Sequence, residues 1–235
     1  MIFGMFDPTV IILIPAMIFT MYAQNKVHSA YRKYASVGNQ RGMTGAMAAR
    51  KILDSNGLSN VAIEITQREL SDHYDPRTKV MRLSPKVYYD PSIASVSIAA
   101  HEAGHAIQHA VGYSPLKIRG VLAPIATVTS NLAWPILIVG LLIIGAGNLT
   151  SGNLVFNIGI GLFTIAVLFQ GITLPVEFNA SKRAILQMET LGIIATAERS
   201  SAKKVLSAAA MTYVAALAAA VANLVRILMI RGRND

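Results

Sequence analysis

The chain has 235 residues, of which 53% are hydrophobic and 14% are charged, and its mean hydropathy is +0.48. This apolar content is high for a soluble protein and indicates membrane-spanning segments. The absence of cysteine excludes disulfides, thiolate metal sites and a cysteine nucleophile. The net charge of +9 is typical of the cytoplasmic side of a membrane protein, and no cluster of Lys and Arg interleaved with aromatic residues supports nucleic-acid binding.

Four apolar segments approach or exceed the roughly 20 residues that a spanning helix needs. They cover residues 8–24, 121–147, 154–174 and 208–230. The first segment lacks a preceding basic region, so we predict a retained transmembrane helix over residues 1–24 and not a cleaved signal peptide. Its basic residues follow it, which predicts an external N-terminus and a cytoplasmic segment after the helix.

The basic residues are distributed unevenly between the apolar segments. Residues 25–120 contain 13 Lys or Arg and residues 175–207 contain five, whereas the short connection 148–153 contains none. Because basic residues favour the cytoplasmic side, both basic regions are predicted to be cytoplasmic. Residues 121–174 are then a transmembrane hairpin with an external turn.

The fourth apolar segment is harder to orient. If residues 208–235 cross the membrane, Arg231 and Arg233 lie outside, against the bias of basic residues toward the cytoplasm. We predict a C-terminal transmembrane or membrane-associated helix, in which Arg226 can extend its side chain toward the interface.

Residues 25–120 are predicted to form a small α/β region. Residues 42–58 resemble an amphipathic helix that ends at Gly57. The stretches VAIEIT (61–66) and KVMRLS (79–84) alternate like strands, and the turn-rich SDHYDPRT between them favours a hairpin. KVMRLS is a candidate edge strand to which a peptide could add, and an ordinary strand inside the small sheet is an equally good interpretation.

A helix of about 20 residues is predicted to follow Asp90-Pro91, which supply an N-cap and a first-turn proline. No helix-breaking residue occurs from there to Gly112. The stretch HEAGHAIQHA, residues 101–110, lies within this helix and holds three of the five histidines of the chain.

His101 and His105 are spaced i and i+4, so both imidazoles project from one helix face and can bind one zinc ion. Glu102 lies on a neighbouring face, where it can act as a general base, as in the pattern H-E-x-x-H. A chance match on a polar helix face is the alternative interpretation. His109 lies on the same helix face four residues after His105, which is too far along a straight helix to reach the same ion. A surface position, or contact with a ligand and not with the ion, is therefore favoured for His109.

A catalytic zinc ion requires a third protein ligand, and Glu177 is the candidate. The membrane hairpin returns the chain to the side on which it left, and Pro175 can begin a new helix there. On that helix Glu177 shares a face with Ala180 and Ser181, small residues that would permit close packing against the HEAGH helix. Residues 175–207 are therefore predicted to be a cytoplasmic helix with the third zinc ligand. The alternative is an interfacial glutamate. Glu189 and Glu198 are weaker candidates for the third ligand, because they are predicted to lie on a solvated helix and loop.

Three stretches occur in an order that resembles the neutral zinc metallopeptidases of bacterial membranes, the YugP type: DHYDPRTKVMRLSPKVY, HEAGHAIQ and LPVEFNASKRA. The chain is more distantly similar to HtpX-like heat-shock proteases and CAAX-processing membrane proteases, which carry E-x-x-A-D where this chain has Glu177 to Ser181. The aspartate that orients a ligating histidine in those relatives is thus a serine here, and Ser181 or Asn179 is expected to take its role. The resemblance implies peptidase activity.

Together these features predict an α-helical membrane protein with a small cytoplasmic α/β zincin-like metallopeptidase domain. We expect a Zn²⁺-dependent endopeptidase, multi-pass in the inner or plasma membrane, that cleaves protein substrates near the cytoplasmic surface. The sequence does not distinguish His73, Tyr88, Tyr89, Tyr113 and other residues as the additional hydrogen-bond donor to the oxyanion. A non-catalytic scaffold with a structural zinc is the alternative. A transporter is disfavoured, because the interiors of the first three spans lack ionisable residues.

Overall fold

The computed structural model describes residues 8–69 and 71–232. Our predictions for residues 1–7 and for Arg233 lie outside these ranges. The described residues form mainly α-helices and one small sheet. In chain order the elements are α1 (Leu13–Ala35, preceded by a 3-10 turn at Pro8–Ile12), α2 (Gly45–Ser55), β1 (Ala62–Ile65), β2 (His73–Asp75), β3 (Val80–Leu83), α3 (Pro85–Tyr89), α4 (Ile93–Ala110), α5 (Ser114–Gly145), α6 (Leu149–Thr190) and α7 (Arg199–Gly232, preceded by a 3-10 turn at Thr196–Glu198).

These elements divide into two compact units. The first, which we call the helical unit, is built from residues 8–22, 118–174 and 213–232. The second, the sheet unit, is built from residues 23–117 and 175–212, apart from Leu70, which lies outside the described ranges.

Within residues 8–69 and 71–232, four helices are long and apolar enough to cross a membrane: α1 with its preceding turn, α5, α6 and α7. In the helical unit they expose large apolar side chains such as Ile11, Ile18, Val121, Leu142 and Leu154. Extended apolar surface of this kind is rare on soluble monomers and suits contact with lipid. The structure thus confirms the prediction of four long apolar helices.

The C-terminal end of α7 has defined neighbours within the helical unit. The Nε of Arg226 donates to Thr9 Oγ1 at 3.3 Å, and the Nε of Arg231 donates to Asn157 Oδ1 at 3.0 Å. Thr9 lies just before α1, and Asn157 lies in the first turns of α6. The end of α7 is therefore at the same end of the unit as the connection between α5 and α6.

The helix α6 continues through Pro175 for 42 residues. Our prediction that Pro175 ends the third apolar segment and begins a new helix is wrong. Proline removes one backbone hydrogen bond and usually bends or breaks a helix. Here the residues that follow are held by packing, because Val176, Ala180, Ala184 and Met188 are fully buried. The burial of this face keeps the chain helical on both sides of the proline.

The sheet has the strand order β1-β3-β2, with β1 parallel and β2 antiparallel to β3. The predicted hairpin between residues 61–66 and 79–84 is wrong, because β3 forms its hairpin with β2, inside the stretch that we interpreted as a turn. The strand β3 is central, with a partner on each side. KVMRLS is therefore an interior strand and offers no edge for peptide addition.

A compact turn explains how a strand fits into SDHYDPRT. The Asp75 carboxylate accepts a hydrogen bond from the Arg77 backbone N–H at 2.9 Å and another from Thr78 Oγ1 at 2.9 Å. Lys79 then adopts a φ of +56°, which is uncommon for a residue with a side chain. The turn reverses the chain in four residues and leaves His73–Asp75 free to pair with β3.

The helix α4 begins two residues later than predicted. Asp90 ends α3, and its N–H donates to the Lys86 carbonyl. The N-cap is Ser92, whose side chain accepts from Ser95 N–H at 3.0 Å. The helix is 18 residues long, which confirms the predicted length. Its small buried residues and those of α2 form the centre of the sheet unit's core.

Candidate metal centre

The sheet unit contains a close contact between α4 and α6. A Cβ atom added at Gly104 would lie 2.6 Å from the Ala180 carbonyl oxygen, far inside van der Waals contact. Ala103, Ala180 and Ala184 are completely buried beside it. The predicted packing of small residues is confirmed. Main-chain atoms in contact therefore set the distance between the two helices.

Three predicted ligand residues meet across this contact. His101 and His105 lie one turn apart on α4, with ring centroids 4.7 Å apart. The Oε2 atom of Glu177, on α6, is 3.2 Å from His101 Nε2 and 3.6 Å from His105 Nε2. The Glu177 side chain is 2% exposed, and the imidazoles are 15% and 13% exposed. One ligand atom from each residue lies within 4.8 Å of the other two.

The chemistry and spacing of these donors fit zinc. A tetrahedral zinc ion with ligands at about 2.0–2.1 Å separates its ligand atoms by roughly 3.4 Å. The nitrogen-to-oxygen distances in the structure, 3.2 and 3.6 Å, lie on either side of that value. Two imidazoles and one carboxylate also match the ligand types of catalytic zinc sites, which keep a fourth position open.

Each histidine also has a partner at its other ring nitrogen. Ser181 Oγ lies 3.2 Å from His101 Nδ1, and Gln108 Oε1 lies 3.0 Å from His105 Nδ1. Such partners orient ligating imidazoles. Ser181 thus contacts a ligating histidine, as we expected for either Ser181 or Asn179. Gln108 was missed, although its spacing of three residues from His105 in HEAGHAIQHA puts both on one helix face.

Glu102 is buried directly beside the cluster. Its side chain is 8% exposed, and its Oε2 accepts a hydrogen bond from the Tyr74 backbone N–H of β2 at 3.0 Å. Burial raises the pKa of Glu102 above its ordinary value, against the opposing effect of His101 and His105. A carboxylate with a raised pKa accepts a proton more readily, as a general base must.

The electrostatic environment of the cluster favours a bound cation. Burial alone would raise the pKa of Glu177, but hydrogen bonds from His101 and His105 lower it below its ordinary value. Burial opposes charge on His105, yet the Glu177 hydrogen bond and the Glu102 charge raise the pKa of His105 overall. The Glu177 carboxylate is thus ionised, as a metal ligand must be, and positive charge is favoured where the three donors meet.

The remaining histidines lie apart from this group. His109 Nδ1 is 2.9 Å from the Tyr74 hydroxyl, and His73 Nδ1 is 2.8 Å from the Ser71 carbonyl oxygen. His28 is exposed on α1. Among the candidate oxyanion donors, the Tyr113 hydroxyl lies 3.5 Å from the Pro175 carbonyl oxygen. Tyr88 and Tyr89 make an edge-to-face ring contact.

Two weaker ligand candidates have structural roles instead. Glu189 forms an ion pair with Arg199. Glu198, which we expected to be solvated, is 8% exposed and accepts hydrogen bonds from the backbone N–H groups of Gln40 at 2.8 Å and Ala195 at 2.7 Å. The expectation of a solvated Glu198 was wrong, because its carboxylate caps the turn before α7.

The apolar helices and the donor group of His101, His105 and buried Glu177 are the features of a membrane-associated protein with a candidate zinc site. A family profile described as "Putative neutral zinc metallopeptidase" matches residues 9–232, and the chain belongs to this family. It is 44% identical over 228 residues to the "Putative membrane protease YugP" of Bacillus subtilis (strain 168). The aligned region covers 96% of this chain and 98% of that protein. No solved structure matches the chain.

Proposed function

We propose that this protein is a multi-pass zinc endopeptidase of the cell membrane that cleaves protein substrates at the cytoplasmic surface. The observation that carries the proposal is the close group of His101, His105 and buried Glu177, with buried Glu102 beside it. The favoured substrates are membrane proteins with cytoplasmic loops or exposed tails.

The proposed roles follow from the donor set. His101, His105 and Glu177 would hold the zinc ion. When bound, zinc supplies a Lewis acid that polarises the scissile carbonyl and lowers the pKa of water toward about 7. Glu102 takes the proton from the attacking water and delivers it to the nitrogen of the leaving amine. The Tyr74 N–H fixes one Glu102 oxygen, so the other carries the proton.

The proposed domain arrangement combines two stretches of the chain. Residues 25–120 and 175–207 form the zincin-like catalytic region, on the cytoplasmic side. Residues 1–24, 121–174 and 208–235 form the membrane region. The excess of basic residues in both catalytic stretches supports this sidedness. The position of the α7 end beside the α5–α6 connection supports full crossing by the fourth segment.

A scaffold with a purely structural zinc is less well supported. Structural zinc sites usually have four protein ligands, whereas the described cluster contains three. A buried glutamate beside such a site would also have a desolvation cost without a chemical role. Activity measurements decide between the two functions.

Removal of zinc should abolish peptide cleavage reversibly. We expect purified protein to cut an unstructured casein-like reporter at internal bonds, to lose this activity in a strong chelator, and to regain it when zinc is added, because the three donors remain after the metal leaves. Mass spectrometry of the fragments distinguishes internal cuts from trimming at the ends. Activity that persists in the chelator at full metal loss would contradict the proposal, and a zinc-loaded but inactive protein would favour the scaffold.

The absence of cysteine makes the membrane topology directly testable, because single cysteines can be introduced without background. We expect Ser151→Cys and Gly232→Cys to react in intact cells with a membrane-impermeant maleimide. Lys51→Cys should react only after the membrane is opened. All three positions are exposed in the structure, so burial does not explain a difference between them. Labelling of Lys51→Cys in intact cells would place the catalytic region outside.

A further inference from the structure

A chain of hydrogen bonds links His105 to α6 through one buried amide. Gln108 is 0% exposed. Its Oε1 is 3.0 Å from His105 Nδ1, while its Nε2 donates to the Val176 carbonyl oxygen at 2.8 Å and to Asn179 Oδ1 at 3.0 Å. Asn179 Oδ1 also accepts from Arg183 Nε at 2.8 Å.

The direction of each hydrogen bond in this chain is determined by the chemistry of its ends. A backbone carbonyl can only accept, so the Gln108 atom that faces Val176 must be the NH₂ group. The guanidinium of Arg183 can only donate, so the Asn179 atom facing both Arg183 and Gln108 must be the oxygen. The remaining Gln108 atom, which faces His105, is therefore the oxygen.

An oxygen acceptor at this position requires a proton on His105 Nδ1. The lone pair of a neutral His105 then lies on Nε2, the atom that faces Glu177. The Ser181 hydroxyl, which contacts His101, does not determine which ring nitrogen of His101 carries the proton, because a hydroxyl can donate or accept. Gln108 also holds Val176, the residue before Glu177, and so connects the position of the carboxylate to the tautomer of the imidazole.

We propose that Gln108 is a positioning residue that fixes His105 as the Nδ1–H tautomer and holds the Glu177 segment of α6 against α4. The inference rests on the proposed function for the identity of the metal, and it concerns how this chain prepares its zinc site. Neither Gln108 nor Asn179 touches the reacting atoms in this scheme.

The test is the zinc affinity of Gln108→Met, measured by chelator competition in the purified full-length protein. Methionine keeps the length of the side chain and removes both hydrogen-bonding ends. We expect affinity to fall by about 10- to 100-fold, the usual effect of losing a partner of a metal ligand. The matched control is Gln187→Met on α6, where the glutamine accepts from Asn56 at 3.0 Å. Its zinc affinity should stay within about twofold of wild type.

A second variant separates the two roles. Gln108→Glu retains an acceptor for His105 Nδ1–H but cannot donate to the Val176 carbonyl. We expect its zinc affinity to lie between wild type and Gln108→Met. Thermal unfolding of the metal-free proteins checks that all variants fold. Equal affinities of wild type and a folded Gln108→Met overturn the proposal.

The tautomer can be observed directly by nitrogen NMR of zinc-loaded protein with ¹⁵N-labelled histidine. We expect the His105 proton on Nδ1, and a proton on Nε2 overturns the inference. These measurements do not depend on peptide cleavage. A protein that cleaves nothing but shows the affinity loss and the Nδ1 proton retains this inference and loses the proposed function. The reverse result removes only the role of Gln108.

Discussion

Glu102→Gln should reduce peptide cleavage by about 100- to 10,000-fold, the usual contribution of a general base. Glutamine has nearly the same shape and can still accept the Tyr74 N–H with its carbonyl oxygen, but it cannot take a proton from water. Bound zinc should remain near one per chain, because Glu102 is not among the three clustered donors. The measurements are initial rates on the reporter and metal content of the same preparation.

A matched control is available in Glu198→Gln. Glu198 has the same exposure as Glu102, 8%, and likewise accepts a backbone N–H. Its replacement should leave the cleavage rate close to wild type. A wild-type rate for Glu102→Gln removes Glu102 as the base. An equal loss in both variants would attribute the effect to general destabilisation of buried carboxylate contacts.

Glu177→Gln should lower bound zinc to well below one per chain after dialysis, with loss of activity in proportion. A neutral amide oxygen is a much weaker zinc ligand than a carboxylate, and the charge that compensates the cation disappears. The measurement is metal analysis of the dialysed protein, repeated after zinc is added back.

The comparison for this variant is Glu189→Gln, which changes a glutamate on the same helix that pairs with Arg199. We expect it to retain full zinc content. Full retention by Glu177→Gln as well would exclude Glu177 as a ligand. The site would then have only His101 and His105 from the described cluster, which is too few for catalytic zinc.

The features of the site that depend only on spacing within one helix were predictable from the sequence. The spacing of His101 and His105 places both on one face of any helix, whatever the rest of the fold. The proximity of Glu177 was predictable for a different reason, because the predicted membrane hairpin over residues 121–174 would return the chain to the side on which it left. The structure brings these three residues together.

The sheet topology could not be predicted from the same patterns. The strand β2 has three residues, too few to show an alternating pattern, and it lies within a turn-rich stretch. Its pairing with β3 depends on the local turn that Asp75 stabilises. The continuity of α6 through Pro175 was also hidden, because local propensity favours a break and only tertiary burial of the following face opposes it.

The role of Gln108 could be predicted only in part from the sequence. Its position on the face of His105 is visible in the sequence, but its other partners, Val176 and Asn179, are 68 and 71 residues away. Their contact depends on how α4 docks against α6. Sequence alone therefore indicates that Gln108 is near the histidine, and the structure is needed to show what holds the amide in place.

The absence of a side chain at Gly104 has a consequence for the preorganisation of the site. Because the backbones of α4 and α6 approach closely there, the spacing of the helices that carry the imidazoles and the carboxylate does not depend on flexible side chains. A bulkier residue at this position would hold the two helices apart, and the three donors would have to move before they could close on an ion as small as zinc. A residue with no functional group of its own thus keeps the donors close together before any ion arrives.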